Sequence, residues 1–117
     1  MHRSYQLHIR LESTTNLTVG KRGTFLFPEG CYVYTGSAKR HIQARISRHL
    51  SRNKKMRWHI DYLLADPHAS VTRVTLTSME ECCLNQETEG RIVVPGFGSS
   101  DCTDHCGSHL KFSEREP

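Results

Sequence analysis

Eight residues near the start of the chain, Ser4 to Leu11, constrain the fold more than any other stretch. Tyr5, Leu7, Ile9 and Leu11 fall on one side of this segment, and Gln6, His8 and Arg10 on the other. A period of two is the repeat of a half-buried β-strand, because successive side chains of a strand point to opposite faces. Such a strand needs a partner, and Cys31-Tyr32-Val33-Tyr34-Thr35, aromatic and β-branched, supplies one. Thr14 to Thr18 reads as a turn and a short strand, while Gly20-Lys21-Arg22-Gly23 and Pro28-Glu29-Gly30 punctuate as turns. Gly36 ends the second strand.

Helical spacing follows. Ser37 is the expected cap of a helix whose apolar stripe is Ile42, Ile46, His49 and Leu50. Arg45 and His49 are four residues apart and share a face of it. Arg57 to Ala65 reads as a short second helix ended by Asp66-Pro67, and Ser70 to Thr77 as a third strand. Ser78, with Glu81 three residues later, has the capping-box pattern, which predicts a third helix from about Met79. Gly90 and Pro95 bracket a further element, Arg91-Ile92-Val93-Val94. The tail from Gly96 is rich in Gly, Ser, Cys and His and has no period. The first two strands can pair as an antiparallel hairpin and the third can return beside them. The expected architecture is a single α+β domain over residues 1–117, a small three-stranded antiparallel sheet flanked by helices.

Composition excludes some classes. No run of about 18 apolar residues exists, so no membrane partner is expected. The start, Met1-His2-Arg3-Ser4-Tyr5-Gln6, lacks the apolar stretch of a secretory signal. The five cysteines are odd in number and two are adjacent, which argues against a disulfide framework and for reduced thiols in a cytoplasm. The net charge of +4 is mild, but its distribution is not. Lys39, Arg40, Arg45, Arg48, Arg52, Lys54, Lys55 and Arg57 place eight of the 16 basic residues within 19 positions that hold no Asp or Glu. That concentration suits a phosphate-binding face as well as a solvated one.

A phosphodiester hydrolase needs an arginine to grip the phosphate, a carboxylate to hold a hard cation, and a group to take a proton from water. Tyr5, Tyr34, Arg45, His49 and Glu81 offer these types on separate elements or turns. Each also has an ordinary explanation. A strand tyrosine packs, a helix arginine is solvated, and Glu81 completes a capping box.

Taken together, several motifs resemble a known family. Tyr34-Thr35-Gly36, then Arg45 and His49, is similar to the second half of the GIY-YIG nuclease motif, with Tyr5 in place of the first tyrosine and Glu81 in place of the metal-binding glutamate. The resemblance is closest to a small-protein branch, a domain of unknown function found alone or fused to DNA-glycosylase-like proteins. Its hallmarks here are Gly30 to Ala38, Arg57-Trp58-His59-Ile60-Asp61-Tyr62-Leu63-Leu64, Glu81-Cys82, Gly96-Phe97-Gly98-Ser99-Ser100-Asp101-Cys102, and Ser108-His109-Leu110. They span nearly the whole chain. Ser4-Tyr5 stands where the superfamily has a glycine-led triplet, and Thr35 replaces the usual aliphatic residue.

The resemblance implies a Mg²⁺- or Mn²⁺-dependent endonuclease that hydrolyses DNA by single water attack, in repair or processing and in association with repair proteins. Glu81 would hold the cation, Arg45 the scissile phosphate, and Tyr5 or Tyr34 the water, with His49 assisting. Lys39, Arg40, Arg48, Arg52, Lys54 and Lys55 are the expected DNA contacts. In the second helix Trp58 is expected in the core, with Asp61 holding His59. Ser99, Ser100, Asp101 and His109 are expected in a loop that closes over the site. Cys102, His105, Cys106 and His109 can also be drawn as a zinc site, but the spacing is not a standard one and the closing loop is the preferred reading. Two other functions stay open: an inactive nucleic-acid-binding adaptor of the same fold, and a zinc-stabilised interaction domain.

Overall fold

The computed structural model describes residues 3–38, 40–51, 54–98 and 106–114. Strands β1 (Ser4–Leu11), β4 (Gly30–Ser37), β5 (Ala69–Thr77) and β6 (Leu110–Ser113) form one antiparallel sheet in the order β5-β1-β4-β6. A separate hairpin pairs β2 (Thr15–Thr18) with β3 (Thr24–Phe27) across a 3-10 turn at Gly20–Arg22. Three α-helices lie among the described residues: α1 (Ile42–Leu50), α2 (His59–Leu64) and α3 (Glu81–Glu87). The architecture is α+β, as the strand and helix spacing predicts.

The alternation in β1 sorts the two faces. Tyr5, Leu7, Ile9 and Leu11 are buried with Ile46 of α1 and Ile60, Leu63 and Leu64 of α2. Each aliphatic side chain removed from water in this way contributes roughly 1.5–3 kcal/mol. On the opposite face Gln6 donates to Thr35 Oγ1 at 3.2 Å and to Thr88 Oγ1 at 2.7 Å, which docks the end of α3 there. Strand β4 is covered on both faces, so it reads as a continuous buried run rather than an alternation. The hairpin adds Phe27, whose ring stands 6.1 Å from both Tyr32 and Phe97.

Several expectations are corrected. The main sheet has four strands, not three, because Leu110–Ser113 pairs with the free edge of β4. Strand β3 was not expected, and Arg91-Ile92-Val93-Val94 forms no strand, only an isolated bridge from Arg91 to Phe112. Ser37 is the last residue of β4 and does not cap α1, which starts after His41 in a left-handed conformation, φ 56°. Ser78 does not cap α3. Glu80 does, its carboxylate accepting from the Cys83 N–H at 3.0 Å. Among the described residues no helix is long and apolar enough to cross a membrane.

Candidate active site

The site sits at the end of the sheet where β1 begins and β4 finishes. Register pairs Tyr5 with Gly36 and Leu7 with Tyr34, so both tyrosines share the face covered by α1. Gly36 is required there by close approach: a Cβ on it would meet the Tyr5 ring and hydroxyl at 2.5 Å. The Tyr5 ring therefore lies flat across β4 and points its hydroxyl at α1.

There it meets His49. The Tyr5 hydroxyl is 2.7 Å from His49 Nε2, and the Tyr34 ring closes on the same imidazole edge-on at 6.0 Å. Burial, aided by the charge of Lys54, pushes His49 down to about 4. The ring is thus neutral at pH 7, and we assign the Tyr5 O–H as donor to a bare Nε2. Its Nδ1 has no hydrogen-bond partner among the described residues. Burial raises both phenols above their ordinary value, Tyr5 against the opposing effect of the Arg45 guanidinium beside it. Neither tyrosine is a ready tyrosinate. A cavity of about 220 Å³ lies on the far side of His49, between Leu50 of α1, Leu64 of α2 and Val71 of β5.

Arg45, one turn before His49, donates from Nη1 to the Ser37 carbonyl at 2.8 Å. The Ser37 hydroxyl donates in turn to Glu81 Oε1 at 3.2 Å. Ser37 is thus the link between the arginine on one face of the sheet and the glutamate on the other. Sequence spacing hid this, because a serine after a strand and before a helix reads as a cap. The other carboxylate oxygen of Glu81 lies 3.2 Å from His109 Nδ1. The Glu81 side chain stays 26% exposed, and a carboxylate oxygen has room to accept more than one contact, so it fits a hard cation as a single carboxylate donor.

His109 is buried at the entry to β6: its carbonyl accepts from Thr35 N–H at 3.0 Å and its N–H donates to the Phe97 carbonyl at 2.8 Å. Ser99, Ser100, Asp101, Cys102 and His105 lie outside the described residues, as do Lys39 and Arg52.

Much of the basic segment has internal partners. Arg48 reaches both oxygens of the fully buried Asp61 at 3.1 Å and also donates to the Lys55 carbonyl. Burial would raise the Asp61 carboxyl, but Arg48 and the N–H groups of Trp58 and Arg57 together outweigh it and hold it below the usual range. Lys54 Nζ caps the end of α1 by donating to the carbonyls of Arg48 and His49 at 3.2 and 2.6 Å. The guanidiniums of Arg45, Arg48 and Arg57 stand over the Trp58 ring at 4.9, 4.4 and 5.1 Å. Trp58 is only partly buried, packed against the core rather than within it. Arg40 and Lys55 project into solvent.

Asp61 does not hold His59. Instead His59 Nδ1 accepts from the Gly98 N–H at 2.9 Å, which ties the Gly96-Phe97-Gly98 turn to α2. Phe97 is fully buried between them and Gly98 takes φ +68° beneath the Tyr34 ring. Both hallmark segments border the site: the Trp58 ring lies 5.7 Å from His49 and under Arg45, and Gly98 packs against the Tyr34 ring.

The chain matches the family described as Domain of unknown function DUF123 over residues 4–117, and it belongs to that family. No curated protein and no solved structure matches it.

Proposed function

We propose that this protein is a divalent-cation-dependent endonuclease of the GIY-YIG type, acting on DNA in the cytoplasm in repair or processing. The observation that carries the reading is the Tyr5–His49 pair, flanked by Arg45 and joined through Ser37 to Glu81. It gathers a proton acceptor, a phosphate grip and a carboxylate at one end of one sheet. Among the described residues no disulfide joins Cys31, Cys82, Cys83 and Cys106, which suits a reducing compartment.

The chemistry follows from the protonation states. A raised phenol is a poor base alone, but a neutral imidazole 2.7 Å away can take its proton as the phenol takes one from water. The hydroxide so formed attacks phosphorus, and the leaving oxygen departs with a proton from solvent. Arg45 has five N–H donors and spends one on Ser37, leaving others for a phosphate. Glu81 would hold Mg²⁺ or Mn²⁺, which supplies neutralisation of developing charge when bound.

A second reading is an inactive nucleic-acid-binding adaptor. One observation favours it: Tyr5 is 1% and His49 2% exposed, so the pair is shut from bulk water. Incubation with labelled duplex, nicked and branched DNA separates the two. The nuclease reading expects products with Mg²⁺ or Mn²⁺ that vanish with chelator. Binding without products across the panel supports the adaptor.

A further inference from the structure

Behind Glu81, on the face of the sheet covered by α3, three soft-metal ligands converge from distant parts of the chain. Cys82 on α3, Cys106, and His109 at the entry to β6 bring two thiols and one ring nitrogen all within 4.8 Å of one another. Cys82 and His109 are 7% and 2% exposed, and Cys106 is partly buried. Cys82 Sγ is 3.9 Å from His109 Nε2. A tetrahedral zinc ion, with Zn–S about 2.3 Å and Zn–N about 2.0 Å, sets its sulfur and nitrogen ligands roughly 3.5 Å apart, so a closure of about 0.4 Å completes the pair.

A carboxylate also stands close to the far nitrogen of the histidine. His109 aims Nε2 at the thiols and Nδ1 at Glu81 Oε2, 3.2 Å away. A carboxylate behind the non-ligating nitrogen is the usual way a metal-bound histidine is oriented and made more basic. Nothing in a disulfide or a packed thiol pair asks for that carboxylate.

We propose that Cys82, Cys106 and His109 bind a zinc-class ion, with one coordination position left to water. The site is distinct from the cation held by Glu81 for hydrolysis. It fastens α3, and with it Glu81, to the chain that leads into β6. Binding releases the thiol protons to solvent, leaving two thiolates and a neutral imidazole on a dication.

The test is metal content of the full chain, purified without chelator and then equilibrated with excess Zn²⁺ and desalted. The expected result is about one zinc per chain in the wild type and in Cys83→Ser, and a loss of most of it in Cys82→Ser and Cys106→Ser. Glu81→Gln keeps all three ligands and should weaken affinity by about 10–100-fold. Co²⁺ added to wild-type protein gives a second readout that needs no variant to fold: thiolate-to-cobalt charge transfer with the strong visible bands of a tetrahedral site. Absence of zinc and of those bands, equal loss in Cys83→Ser, or a Cys82–Cys106 disulfide trapped by alkylation would each overturn the proposal. None of these readouts depends on DNA cleavage.

Discussion

The Tyr5 hydroxyl and His49 Nε2 stand 2.7 Å apart across 44 residues of chain, both out of contact with bulk water. Tyr5→Phe deletes that contact together with the phenol's interaction with Arg45. It leaves the buried imidazole short of a partner, at a cost of about 1–3 kcal/mol. Loss of the proton relay should lower cleavage by roughly 10²–10⁴-fold while the variant remains folded. Full activity in Tyr5→Phe would remove the phenol from the mechanism.

His49 also predicts a pH dependence of stability. Its folded pKa is depressed to about 4, while in the unfolded chain it titrates near an ordinary histidine. Below pH of about 6.5 the unfolded chain gains a proton that the folded chain refuses until about 4, so stability falls across that window, by on the order of 3 kcal/mol. Denaturation midpoints from pH 7 to 4 should show this limb flattened in His49→Gln relative to wild type. Parallel curves would mean that the imidazole is not held neutral.

Gly36 predicts a steric effect. Its φ is unremarkable for a strand, yet a methyl group there would collide with the Tyr5 ring at 2.5 Å. Gly36→Ala should push that ring off β4, destabilise the fold by about 1–3 kcal/mol and break the Tyr5–His49 contact. An unperturbed Tyr5 hydroxyl resonance in the variant would contradict the packing.

The basic segment divides into two kinds of residue. Arg48→Ala strands the buried Asp61 carboxylate and should cost about 3–5 kcal/mol of stability. Arg40→Ala and Lys55→Ala should leave stability alone and each reduce the salt slope of DNA binding by about one. Measured slopes unchanged in both exposed variants would show that this face does not touch phosphate.

Parts of this were legible in the sequence. The alternation from Tyr5 to Leu11 marked β1 because one face of that strand is core and the other is half-covered. Tyr34, Arg45 and His49 could be singled out by their residue types and by the motif they resemble, while spacing added only that Arg45 and His49 share a helix face. What escaped depends on distant pairing. Leu110-Lys111-Phe112-Ser113 alternates too, but four residues carry little signal until β4 supplies an edge 76 positions away, Tyr34 to Leu110. Ser37 was misread because its hydroxyl serves Glu81 and its carbonyl serves Arg45, neither a local contact. The convergence of Cys82 with Cys106 and His109 has no spacing rule behind it. It exists only because α3 packs against the chain entering β6.

The most direct test of the central claim is single-turnover cleavage of labelled DNA with Mg²⁺ or Mn²⁺, wild type beside Glu81→Gln. Circular dichroism and low-salt DNA binding confirm that both proteins are folded and loaded. Glu81 does not cap α3, since Glu80 does, so the substitution should spare the helix. It removes the charge that holds a hard cation. The account predicts that the wild type cuts at least one structure in the panel and that Glu81→Gln cuts it at least about 100-fold more slowly. Cleavage by Glu81→Gln at the wild-type rate, or a wild type that cuts nothing with either metal, would contradict it.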